Sequence, residues 1–236
     1  MRPVAIFRHA RTEGPGYLAE YLDRRSIPWQ LVRIDEGEEV PVAANAFSGL
    51  VFMGGPMSVN DDLPWIAPVL SLIRAAVDSQ VPVLGHCLGS QLMSKALGGV
   101  VGRSPVKEIG WGRCDVPDTP IAREWFGDDL EFFDAFHWHG ETFTVPEGAV
   151  RVLSGPWCDN QAFALGPHIG LQCHVEMTED LIKNWCRGGA KEIAESRDSP
   201  GVQPPHEIEQ HLPTRVAALH RVADRLYARW TAGLRI

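Results

Sequence analysis

Strand-like apolar runs fall at residues 4–7, 29–33, 50–53 and 81–84, and they alternate with helix-spaced stretches at 17–24 and 66–78. Runs of four or five apolar residues have the length of strands buried on both faces, while repeats every three to four residues mark helices with one buried side. This rhythm predicts an α/β fold with a mostly parallel open sheet flanked by helices, and it places function at the carboxyl ends of the strands. From 100 to 165 the pattern shifts to β-like segments and turns, among them Gly110-Trp111-Gly112 and Pro146-Glu147-Gly148. These are expected to add antiparallel strands at one edge of the sheet. Residues 169–173 read as a further strand. Beyond Thr178, Leu181, Ile182 and Trp185 are spaced for a buried helix face, and a loop over 197–205 precedes a final amphipathic helix over about 207–230. One domain over 1–236 is expected, with a helical C-terminal extension over about 179–236.

The run at 81–84 leads directly into Gly85-His86-Cys87-Leu88-Gly89-Ser90-Gln91, and a helical rhythm then continues to Gly98-Gly99. Cys87 therefore stands where a buried strand becomes a helix. Glycines two residues to either side suit a crowded strand-turn-helix elbow, because side chains there would meet backbone. At the first turn of a helix, unpaired N–H groups and the positive end of the dipole favour thiolate over thiol. The competing readings are a small buried cysteine in a glycine-rich turn and a phosphate cradle. The second lacks the lysine that the Gly-Lys-Ser/Thr pattern requires.

A partner for a nucleophilic cysteine appears downstream, in His174-Val175-Glu176. Two residues apart on an extended segment, His174 and Glu176 fall on the same side. The chemistry needs both: an imidazole to accept and return the proton, and a carboxylate to fix its tautomer. Alone, such a pair is as well read as a surface feature; the elbow gives it its meaning.

Together with Gly54-Gly55-Pro56 after the third apolar run, these motifs resemble the class I glutamine amidotransferases, whose triad is Cys-His-Glu. The resemblance covers most of residues 1–180 and is nearest to the amidotransferase domain of GMP synthase and its stand-alone relatives. It implies a flavodoxin-like sheet, Cys87 as nucleophile, His174 as proton carrier and Glu176 as its orienter. It also implies oxyanion donors at the N–H groups of Leu88 and Gly55, and substrate contacts from Gln91, Trp138 and His139. The chain departs from the family pattern at Cys173, where Phe is usual, and at Val175, where Pro is usual. The implied activity is hydrolysis of a γ-glutamyl amide through a Cys87 thioester, with glutamine or a small γ-glutamyl compound as substrate and no cofactor. A separate synthetase subunit would take the ammonia. The alternatives are a stand-alone γ-glutamyl peptidase and, more remotely, an inactive binding scaffold.

Two further clusters contain histidines. Phe136-His137-Trp138-His139-Gly140-Glu141 places two imidazoles on one strand face, yet no acidic or cysteine cluster stands at ligand spacing, so no metal is expected and His137 reads as structural. Phe7-Arg8-His9-Ala10-Arg11-Thr12 resembles a histidine phosphatase signature but has Ala10 in the place of glycine. Arg8 and His9 therefore read as a strand-end loop before the turn at Glu13-Gly14-Pro15-Gly16. A net charge of −8 argues against nucleic-acid or anionic-membrane partners. No run is long enough to span a bilayer and no leader pattern opens the chain, so the cytoplasm is expected. Five cysteines without a Cys-x-x-Cys pair indicate neither a disulfide framework nor a zinc ribbon.

Overall fold

The computed structural model describes residues 2–235. Its first half runs β1 (Val4–Arg8), α1 (Tyr17–Arg24), β2 (Trp29–Arg33), β3 (Gly49–Phe52), α2 (Ile66–Asp78), β4 (Val83–His86) and α3 (Leu88–Ala96). Then come β5 (Val101–Asp115), α4 (Pro120–Phe126), β6 (Phe132–Phe143), β7 (Val150–Leu153), β8 (Ala162–Leu165) and β9 (His168–Leu171). The remainder is α5 (Glu179–Gly188), α6 (Ala190–Glu195), β10 (Gly201–Val202), α7 (Pro205–Ile208) and α8 (Leu212–Thr231).

The main sheet has the order β2-β1-β3-β4-β9-β8-β7. Its first five strands are mutually parallel, and β8 and β7 join antiparallel at the edge. The apolar runs are continuous because both faces are covered. Val4 and Ile6 of β1 enter one core with residues of α1, α5 and α8, while Ala5 and Phe7 enter a second core with residues of α2 and α3. Among the described residues, no helix is long and apolar enough to cross a membrane.

Two expectations about organisation need correction. Only β7 and β8 extend the edge of the main sheet. The long pair β5 and β6 forms a second, three-stranded sheet with β10. The edge of β9 is already taken by β8, so the long pair packs instead against the core, through Ile109, Trp111, Ala135 and Phe136. The expected helix over 207–230 is in fact two, α7 and α8, broken at His211 with φ +55°. Pro213 is the cause: inside a continuous helix its ring would clash with the carbonyl of Glu209, whereas in the first turn of a new helix its missing N–H costs nothing.

The strand predicted over 169–173 ends at Leu171. Gln172 N–H still donates to Gln161 O at 2.8 Å, but His174 N–H donates to Phe136 O of β6, also at 2.8 Å. The chain thus passes from the main sheet to the second sheet at the histidine.

The approach of α3 to β3 and β4 is close enough to exclude side chains. A Cβ on Gly89 would collide with Phe52 O, and one on Gly85 would lie 2.6 Å from Ser90 N. Gly89→Ala is expected to destabilise the protein by about 2 kcal/mol or more, and Gly102→Ala, where nothing lies within reach of a new Cβ, to stay within about 0.5 kcal/mol, both read from urea unfolding.

Candidate active site

The elbow is stretched between two fixed points. Cys87 N–H donates to Leu171 O of β9 at 2.7 Å, and Cys87 O accepts from Gln91 N–H at 3.1 Å and Ser90 Oγ at 2.7 Å. Held from both sides, Cys87 has φ +48° and ψ −106°, a conformation that side-chain-bearing residues seldom adopt. The turn aims the sulfur into a cavity of about 770 Å³ lined also by Glu13, Gly55, Trp138, His174 and Trp185.

His174 meets this cysteine from the loop after β9. Its Nδ1 lies 2.6 Å from Glu176 Oε1, and its ring is edge-on to Trp185 with centroids 5.0 Å apart. The other carboxylate oxygen, Oε2, lies 3.0 Å from Nδ1 of His86, the last residue of β4. Burial by itself would raise the Glu176 pKa; the two rings overcome this and hold it well below the usual 4.5. An ionised carboxylate only accepts, so Nδ1 of His174 carries the hydrogen and a neutral ring has its free Nε2 lone pair available. Burial would also lower the His174 pKa, but Glu176 and Cys87 together raise it well above the usual value. Among the described residues, Nε2 of His174 has no hydrogen-bond partner.

The sulfur has other polar neighbours. Gln172 Nε2 donates to it at 3.6 Å, and Gln172 Oε1 accepts from Gln91 Nε2 at 3.2 Å. Gln91 also reaches Glu141 O at 3.4 Å, so this cavity residue is tied to the sulfur through Gln172. Trp138 O lies 3.8 Å from the sulfur, and its indole N–H donates to Glu192 at 2.9 Å. Leu88 opens α3, and its side chain packs so tightly on Gly55 that a Cβ there would come within 2.7 Å of Leu88 Cδ2.

Around the two other sequence clusters the outcome is mixed. His137 is a core ring: burial lowers its pKa to about 4, and Nε2 lies 3.2 Å from Gly112 O. His139 lines the cavity, with Nδ1 3.0 Å from Glu141 O. An acidic neighbour does exist, contrary to expectation. Glu108 faces His139 across the β5–β6 pairing, and ligand atoms of Glu108, His137 and His139 lie within 4.8 Å of one another. Strand register, invisible in sequence spacing, brings it there. Burial would raise the Glu108 pKa, but His139 at 3.1 Å and Gln161 at 2.9 Å bring it below the usual value. Arg8 is bound to Asp35 and Glu36, each at 2.9 Å, and His9 is buried with Nδ1 3.0 Å from Met53 O, as befits a strand-end loop.

The sequence model of glutamine amidotransferase class-I matches residues 16–184. The chain belongs to the class I glutamine amidotransferase family. The glutamine amidotransferase-like protein YfeJ of Salmonella typhimurium is 28% identical over 195 residues, covering 80% of this chain and 82% of that protein. The glutamine-hydrolyzing GMP synthase of Ectopseudomonas mendocina is 32% identical over 159 residues, which is 64% of this chain but only 28% of that enzyme. Among solved structures, a glutamine amido transferase from Methylobacillus flagellatus is 44% identical with a TM-score of 0.97, covering 100% of this chain and 96% of its own. A glutamine amidotransferase from Thermotoga maritima is 25% identical with a TM-score of 0.87, covering 98% and 99%.

Besides Glu108, sequence reasoning missed His86, Gln172 and Glu13. His86 and Gln172 adjoin motif residues and carried a signal in that position alone; Glu13 carried none. The share of Glu176 taken by His86 has a measurable consequence. Because the folded pKa of Glu176 is depressed, its contribution to stability is present above the usual 4.5 and lost as pH falls below it. His86→Ala is expected to cost about 3 kcal/mol near pH 7 by urea unfolding, and to make the loss of stability below about pH 4.5 shallower than in the parent protein.

Proposed function

We propose that this family member hydrolyses a γ-glutamyl amide, glutamine in the first instance, with Cys87 as nucleophile, His174 as proton carrier and Glu176 as the group that orients it. The observation that carries the reading is the meeting of Cys87, on its strained elbow, with an imidazole whose Nδ1 is fixed 2.6 Å from a buried carboxylate. His174 takes the thiol proton on Nε2. The sulfur attacks the amide carbon, and the carbonyl electrons move onto oxygen. That oxyanion is met by the N–H groups of Leu88, at the start of α3, and of Gly55, in the adjoining loop. Collapse of the intermediate breaks the C–N bond, and the amine leaves with the proton from His174. Water then attacks the thioester, its proton passing to His174, and glutamate departs as the thiol re-forms.

Gln172 supports the first step by donating to the sulfur and so holding it in place for attack. Gln91, Trp138 and His139 hold the glutamyl portion along the wall that they share. The resemblance to glutamine-hydrolyzing GMP synthases supports transfer of the ammonia to a separate synthetase subunit. Five free cysteines fit a reducing cytoplasm. A second reading, cleavage of larger γ-glutamyl conjugates, is favoured by the cavity, whose 770 Å³ continues beyond Cys87 to Lys107, Asn184 and Glu192.

Cys87→Ala is expected to lower glutamate release from glutamine by at least about 10⁴-fold while the fold persists. Loss in His174→Ala should exceed that in Glu176→Gln, which keeps a hydrogen-bonding partner but not the charge, by about tenfold or more. Steady-state assays on glutamine and on γ-glutamyl dipeptides check both readings. Parent-like turnover in a folded Cys87→Ala protein would remove the cysteine from the reaction.

A further inference from the structure

Glu13 lies ahead of the family match, which begins at residue 16, yet its carboxyl lines the cavity that holds Cys87. A Cβ on Gly54 would run into Glu13 Oε2 and stand 3.3 Å from His174 Cε1. The carboxyl and the imidazole therefore both border the space that a Gly54 side chain would fill. Among the described residues, Glu13 has neither an ion pair nor a side-chain hydrogen bond; its electrostatic neighbours are His174 and Glu176. Lys107, on the same cavity, is already paired with Glu192.

This placement is fixed by the surrounding turn. Glu13 N–H donates to Ala10 O at 3.0 Å, the indole of Trp185 donates to Thr12 O at 2.8 Å, and Tyr17 N–H donates to Glu176 O at 2.8 Å. Gly16, at φ +50°, lies so close to Glu176 O that a Cβ would collide with it. The turn is thus fastened to the segment that carries the triad histidine and carboxylate.

His174 must face the departing amine in order to protonate it, so Glu13, on the same wall, faces the leaving group. Gln91 is linked to the sulfur by a separate chain of hydrogen bonds, through Gln172. A γ-glutamyl amino acid releases an amine that bears a carboxylate, whereas glutamine releases ammonia. We infer that Glu13 determines leaving-group specificity, rejecting γ-glutamyl substrates whose leaving amine carries a carboxylate and accepting ammonia or carboxylate-free amines. This rests on the proposed cleavage at Cys87. Burial raises the Glu13 pKa to about 7, with Glu176 adding to the rise and His174 opposing it, so the group is mostly ionised near pH 8.

The test compares γ-glutamyl-glycine with γ-glutamyl-glycinamide, which differ only in the carboxylate of the leaving group, near pH 8. The parent protein should prefer the amide by about tenfold or more in kcat/KM, and Glu13→Gln should shrink that ratio to about threefold or less. A parallel fall for both substrates in Glu13→Gln, with the ratio unchanged, would mean that Glu13 only supports His174 and would overturn the inference. The same ratio is read without turnover from calorimetric Kd values of the two ligands for Cys87→Ala and for Cys87→Ala combined with Glu13→Gln. A binding preference that disappears with Glu13 supports the inference even where neither compound is hydrolysed, an outcome that would count against the proposed chemistry instead. A binding preference that survives Glu13→Gln sinks the inference and leaves the chemistry standing.

Discussion

Everything at the site depends on how closely α3 approaches the sheet. Backbone of the helix start lies against Phe52 O of β3 and against Gly85 of β4, in a space where Gly89 admits no Cβ. That proximity forces the chain to reverse within one residue, and the residue that absorbs the reversal is Cys87, at φ +48°. The strain is retained because the cysteine's own amide is locked to β9 and its carbonyl to the first turn of α3. Packing thus turns the cysteine at the start of α3 toward the cavity that its side chain lines.

The second constraint is a buried carboxylate divided between two imidazoles. Left unpaired, Glu176 would be costly in the core; with His174 on one oxygen and His86 on the other it remains ionised. His86 belongs to the elbow strand and His174 to the loop after β9, so one carboxylate ties the two halves of the site together. Trp185 packs edge-on against the His174 ring and stands at 90° to Trp138, with centroids 5.8 Å apart.

Much of the architecture is legible in the apolar pattern. Strands buried on both faces read as continuous runs, and β1, β3 and β4 fall within a residue or two of where those runs place them. Helices α1 and α2 coincide with their predicted spans. The pattern fails where tertiary competition decides. Nothing local says that β8 will occupy the edge of β9 and send β5 and β6 into a separate sheet. The break at His211 is in principle legible, because Pro213 fits a helix only in its first turn, but the amphipathic periodicity on both sides of it masks the signal.

Legible along the chain are the fold and two local patterns that it displays: a cysteine between two glycines after a buried strand, and a histidine two residues from a carboxylate. Both are local patterns, and the forces that give them meaning, strand burial and helix-start electrostatics, act over a few residues. Only the tertiary structure decided which groups surround those motifs. His86 on Glu176, Gln172 on the sulfur, Glu108 beside His139 and Glu13 near His174 each join elements far apart in the chain. Their partners are selected by strand order, cross-strand register and the close approach that glycine permits, none of which is written in the spacing of residues along the chain.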